Sequence, residues 1–146
     1  MANPYLLSGA ALSALAALLH LGCIFFGASW YRFFGAGERM AQLAAAGHMA
    51  PTLITLGIAA VLGIWSLYAL SGAGIAPRLP LVRTGLCIIT SIYLLRGVTG
   101  FVLAALAPGE RSVAFWYWSS LICLGIGALY LVGTWQAWSG LSRGAA

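Results

Sequence analysis

The chain has 146 residues, 62% of them hydrophobic and 6% charged, and its formal net charge of +5 comes from seven arginines against two glutamates, with neither lysine nor aspartate. Four apolar runs of roughly 20 residues, each long enough for the ~30 Å hydrocarbon core of a bilayer, leave no segment for a soluble domain, so residues 1–146 read as one membrane domain. The arginines stand mostly singly at the ends of these runs, where positive residues set topology, and this distribution argues against a nucleic-acid partner.

The first span runs from about Tyr5 to Gly27. It has almost no positive segment before it and no small-residue cleavage site ahead of soluble sequence, so it reads as a retained helix rather than a signal peptide. An aromatic connection follows, Ser29-Trp30-Tyr31-Arg32-Phe33-Phe34, then a Gly35-Ala36-Gly37 break. The stretch from Glu38 to Gly47, with its acid at the start and alanines beyond, predicts a short interfacial helix. The second span begins around Met49 and Pro51, where proline suits a first turn, and reaches about Leu70. Turn-forming Gly72, Gly74 and Pro77 lie in the linker to Pro80. The third span covers about Val82 to Leu106 and ends at Ala107-Pro108-Gly109-Glu110-Arg111, and the fourth covers about Ala114 to Trp138. Trp116 and Trp118 mark one interface of the fourth span, and Trp135 and Trp138 the other, as an aromatic belt requires. The expected fold is therefore all-α: a polytopic four-helix up-down bundle with a short interfacial segment after the first helix.

Both termini then share a side. Arg78, Arg83 and Arg143 lie on that side and Arg32, Arg39 and Arg111 on the other, so the arginine count is tied. The side without acids is the expected cytoplasmic one.

Arg96 is the residue that calls for explanation, because a charge inside a span is costly and marks function by default. In an up-down bundle the first and third helices are parallel, and at ~1.5 Å per residue His20 and Arg96 share a depth about 20 Å from the side where those helices begin. Glu38, His48 and Glu110 fall in the connections on the opposite side, the exit side. Arg96 must satisfy five donors, and Glu38 or Glu110 would be its carboxylate partner. Two readings stand: a structural tie from Arg96 to Glu38 or to a backbone carbonyl, and a clamp on an anionic head group. The expected ligand site is the exit-side opening lined by His20, Tyr31, Glu38, His48 and Arg96.

Cys23, Cys87 and Cys123 differ in depth, which predicts no disulfide; His20 and Cys23 share a helical face, but no further ligands complete a metal site. Paired haem ligation by His20 and His48 is disfavoured by their different depths. Serines within the spans read as packing residues, and Gly57, Gly63, Gly125 and Gly133 as points of close helix approach. The segment Leu56-Gly57-Ile58 recurs 68 residues later as Leu124-Gly125-Ile126, and Cys23-Ile24 recurs as Cys87-Ile88. Two hairpins in a parallel repeat would give this pattern, and so would the shared composition of all spans.

The run from Trp30 to Glu38, with His20 in the preceding helix, resembles small uncharacterised four-helix inner-membrane proteins of bacteria over the whole chain. A looser likeness to DoxX-like four-helix proteins rests on size and span count. The resemblance implies a multi-pass protein of the bacterial inner membrane, and neither a cofactor nor a catalytic residue. Three functions remain open: a binding or accessory protein holding a lipid-like or quinone-like molecule, an intramembrane acid–base enzyme using His20 with Glu38, and a small homodimeric transporter. The binding reading demands least; its partners would be membrane lipids, a small hydrophobic or anionic ligand, and a second copy of the chain.

Overall fold

The computed structural model describes residues 2–106, 109 and 111–142, and its elements are α1 (Pro4–Phe26), α2 (Ala28–Phe33), α3 (Glu38–Ala45), α4 (Met49–Gly72), α5 (Val82–Leu106) and α6 (Val113–Ser142). The four long helices α1, α4, α5 and α6 are long and apolar enough to cross a membrane, and the protein is a multi-pass four-helix bundle. Glu110 and Arg143, like Ala107 and Pro108 at the expected end of the third span, lie outside the described residues.

Local chemistry sets the helix ends. Asn3 caps α1 by accepting from the backbone N–H groups of Tyr5 and Leu6 at 3.0 and 3.1 Å, with Pro4 pre-set for the first turn. The same side chain donates to the Gly133 carbonyl and to Gln136 Oε1. That fastens the start of α1 to the last turns of α6.

The aromatic connection departs from the sequence expectation, because it is helical. Gly27 takes a φ of +72°, turning the chain out of α1, and α2 begins at the next residue. Trp30 then folds back along α1: its ring stacks on Phe26 at 4.4 Å and lies where a Cβ on Gly22 would come within 2.5 Å of it. Apolar burial of the indole, unreadable from the aromatic run itself, is what closes this extra turn. The expected interfacial helix is present as α3, with Glu38 in its first turn. Together α2 and α3 pack on each other and against the exit ends of α1 and α4.

Among the long helices, α1 packs most closely on α4 and α5 on α6; α1 with α6 and α4 with α5 complete the ring, leaving α1 and α5 on a diagonal. Leu6, Leu86, Tyr130, Ser13 and Ser120 are among the fully buried side chains. Gly133 brings α6 against α1 as expected, since a Cβ there would lie 2.9 Å from the Leu6 backbone nitrogen. Gly57, Gly63 and Gly125, expected at similar contacts, instead face open space. Leu18, Phe25, Leu53, Ile64, Leu95 and Trp118 are exposed around the outside, an apolar belt suited to lipid and not to water.

Candidate functional site

The bundle holds two polar centres. The first lies at mid-depth, where Ser13 Oγ is 2.9 Å from Tyr93 Oη and 3.0 Å from Tyr130 Oη, and Tyr130 donates to the Trp65 carbonyl at 3.0 Å. A carbonyl can only accept, so the hydrogens are assigned in one direction: Tyr93 to Ser13, Ser13 to Tyr130, Tyr130 to Trp65. All four spanning helices contribute one member. The Tyr93 ring also meets Trp65 edge-on at 5.0 Å. Every hydroxyl in this chain is partnered, which makes it a structural lock rather than a receptor for a ligand.

The second centre is built on Arg96. Its side chain runs along α5 toward the exit side and crosses to α6, where Nη2 donates to Ser119 Oγ at 3.2 Å and the guanidinium lies 5.2 Å from the Trp116 ring centroid. Ser119 passes its own hydrogen to the Trp116 carbonyl at 3.2 Å. Arg111, just before α6, lies over the same indole at 5.4 Å and over Phe115 at 5.2 Å. Nη1 of Arg96 is buried and makes no hydrogen bond to the described residues.

Depth explains why the arginine is tolerated. From Trp116 to Trp135 is about 19 residues, or ~28 Å of helix, close to the ~30 Å of the hydrocarbon core. The stretch between them has the length of that core, with Trp116 at one end. The Arg96 backbone lies farther from that end, and its stem carries the charge toward Trp116, the behaviour of long basic side chains in membranes.

The anticipated tie from Arg96 to Glu38 is not formed. Arg32 donates through Nε and Nη2 to the two Glu38 oxygens at 2.9 and 2.8 Å, a two-pronged pair across the Gly35–Gly37 turn. These bonds hold the Glu38 carboxyl below the ordinary carboxylate range and raise the Arg32 guanidinium. A partner six residues away across a tight turn wins over one on another helix, because less chain must be ordered to make the pair.

The other site candidates occupy separate settings. His20, half-buried, is hydrogen-bonded through Nδ1 to the Ala16 carbonyl at 2.7 Å, which places a hydrogen on Nδ1. Tyr31 is buried: its hydroxyl donates to the Pro51 carbonyl at 3.2 Å and meets Thr55 Oγ1 at 3.0 Å, pinning α2 to the first turn of α4. His48 is exposed and precedes α4 without capping it through its side chain. None of these bonds joins two of the five residues. Equal depth put His20 and Arg96 together on paper, but they belong to diagonal helices and Arg96 turns to α6. Cys23 is buried, Cys87 exposed and Cys123 half-buried.

Sequence reasoning missed Trp116, Ser119 and Arg111 as companions of Arg96. A signal existed in the spacing: Gly100 is four residues beyond Arg96, so on the same helical face, and offers no side chain to block an arginine bent toward the C-terminal end. No family model matches the chain, and no curated protein or solved structure shows significant similarity to it.

Proposed function

We propose that this protein is a binding or accessory protein of the bacterial inner membrane that holds an amphiphile, lipid-like or quinone-like, by its polar head at Arg96. One observation carries the reading: the Arg96 guanidinium has a buried Nη1 without a hydrogen-bond partner among the described residues, while Glu38, one of the two carboxylates expected to satisfy it, is held by Arg32. A donor-only group in this position is suited to an acceptor that comes from outside the chain. The acid–base enzyme draws less support, because the Arg32 pair withdraws Glu38 from His20. The transporter lacks a carboxylate within the described spans for cation coupling. Cytoplasmic termini and association with a second copy complete the proposal.

The test is native mass spectrometry of the protein released from detergent. Wild type should retain a bound amphiphile, Arg96→Ala should lose it, and Arg96→Lys should retain part, since lysine cannot make the planar two-pronged contact. Equal retention in wild type and Arg96→Ala, both folded by circular dichroism, would leave Arg96 as a structural tie to Ser119 and Trp116.

A further inference from the structure

The end of the bundle where α1 begins and α4 and α6 finish carries an open cleft of about 840 Å³, within the roughly 300–1,000 Å³ of small-molecule sites. Asn3, Ser71, Arg78, Gln136 and Ser139 supply polar side chains to its walls, and alanines with Leu141 supply apolar ones. Since three spanning helices start or stop there, the cleft lies at the level of lipid head groups, at the opposite end from Trp116.

The acceptors of these walls are already in use. Asn3 Oδ1 takes the amides of Tyr5 and Leu6, Ser71 Oγ takes that of Leu79 at 2.9 Å, and the Ala73 carbonyl takes that of Asn3 at 3.3 Å. Gln136 Oε1 takes the Asn3 side chain at 3.2 Å, and the Gly140 carbonyl takes Arg78 Nη2. Donors remain: the other N–H groups of Arg78, the side-chain nitrogen of Gln136 and the Ser139 hydroxyl make no hydrogen bond to the described residues.

Charge points the same way. Arg78 is the one charged side chain among the described lining residues, and Glu38 and Glu110, the only acidic side chains of the chain, stand in the connections after α1 and α5, away from these helix ends. Helix dipoles oppose it in part. At roughly half a charge per end, the two negative ends of α4 and α6 and the positive end of α1 leave about −0.5 against the +1 of Arg78. The cleft keeps a positive balance and a surplus of donors spread over three side chains, more than the two oxygens of a carboxylate would engage and suited to the oxygens of a phosphate.

We propose that this cleft binds a phosphate group with net negative charge, anchored by Arg78 with Gln136 and Ser139 as further donors, while the alanines and Leu141 meet the carbon part of the ligand. An anionic lipid reaches it from the bilayer and a phosphate ester from the aqueous side. The site stands apart from Arg96 and does not depend on an amphiphile bound there.

The experiment places the protein in nanodiscs of phosphatidylcholine containing a minority of phosphatidylglycerol, and reads by native mass spectrometry the lipids it keeps on release. Arg78→Gln removes the anchor, and Ser139→Glu sets a carboxylate in the cleft at an exposed position whose hydroxyl bonds no described residue. Both are made in wild type and in Arg96→Ala, with folding checked by circular dichroism. Phosphatidylglycerol should be kept well above its share of the bilayer by wild type and by Arg96→Ala, and each cleft variant should reduce that enrichment roughly tenfold, the effect of one charge-assisted hydrogen bond. A parallel arm uses phosphatidylcholine alone with inorganic phosphate in the buffer. A phosphorus resonance that broadens with wild type and not with either cleft variant would support the same chemistry from a soluble source. Retained lipid that mirrors the bilayer, with no response to inorganic phosphate, overturns the proposal. So does enrichment lowered by Arg78→Gln and untouched by Ser139→Glu, the result expected if Arg78 serves only to hold the end of α6. Enrichment abolished by Arg96→Ala and indifferent to both cleft variants overturns it as well, and leaves the reading of Arg96 standing.

Discussion

Replacing Tyr130 by phenylalanine removes the last donor of the hydroxyl chain while keeping the ring that fills the centre of the bundle. Two hydrogen bonds disappear, to Ser13 and to the Trp65 carbonyl, each 3.0 Å long. Hydrogen bonds between membrane helices average ~0.6 kcal/mol, since the unfolded chain in a membrane also finds partners, so Tyr130→Phe should cost about 1–1.5 kcal/mol. Ser13→Ala interrupts the chain at its middle and strands the buried Tyr93 hydroxyl, which adds a desolvation penalty and brings its cost to about 1–3 kcal/mol. The double variant should cost clearly less than the two singles combined, because both act on the Ser13–Tyr130 link. Equilibrium unfolding in mixed micelles, with increasing sodium dodecyl sulfate and far-ultraviolet circular dichroism as the readout, measures all three. A Tyr130→Phe protein within ~0.3 kcal/mol of wild type, or strict additivity in the double variant, would refute the one-way chain and its shared energy.

Gly133→Ala should destabilise by about 1–3 kcal/mol in the same assay, because the new methyl would meet the Leu6 backbone nitrogen, which cannot swing aside; Gly57→Ala, opening onto free space, should be neutral or slightly stabilising. Tyr31→Phe should loosen the exit-side helix pair from α4, read as roughly fivefold faster hydrogen exchange in α2 and α3 with the four spans unchanged. The Arg32–Glu38 pair should respond to acid: the folded-state pKa of Glu38 is lowered, so its contribution is present above the ordinary carboxylate range and is lost as pH falls through that lowered value. Low-pH titration of the Glu38 carboxyl by carbon-detected NMR should show this, and Arg32→Gln should return the midpoint to the ordinary range.

The spans were legible because hydrocarbon imposes one demand on every lipid-facing residue, and Leu, Ile, Val, Phe and Ala meet it in runs that Gly and Pro interrupt. The rotation of each helix about its axis was not, since apolar residues surround each spanning helix and no polar stripe marks the inward face. That is why Gly57 and Gly63 passed as packing residues and why Ser13, Tyr93 and Tyr130 gave no sign of meeting. Arg96 announced itself through its cost, but its partners did not: depth along parallel helices fixes one coordinate, while Ser119 and Trp116 depend on the side toward which α5 turns. Glu38 was misassigned for a related reason. Scarcity of acids suggested a long-range pair, and the turn through Gly35 and Gly37 had already brought Arg32 into reach.

The packing of α1 on α4 and of α5 on α6 has a consequence for assembly in the cell. Each pair is two span-length apolar helices packed on each other, and Ser66 ties the first pair internally by donating to the Ala10 carbonyl at 2.9 Å. The hydroxyl chain is divided between them, with Ser13 and the Trp65 carbonyl on one hairpin and Tyr93 and Tyr130 on the other. It works as the mating surface of two halves. A gene split within the linker between α4 and α5 should therefore yield two fragments that insert separately and find each other in the membrane, and loss of the Ser13 hydroxyl should weaken that reunion more than it weakens the intact protein, where the linker holds the halves close.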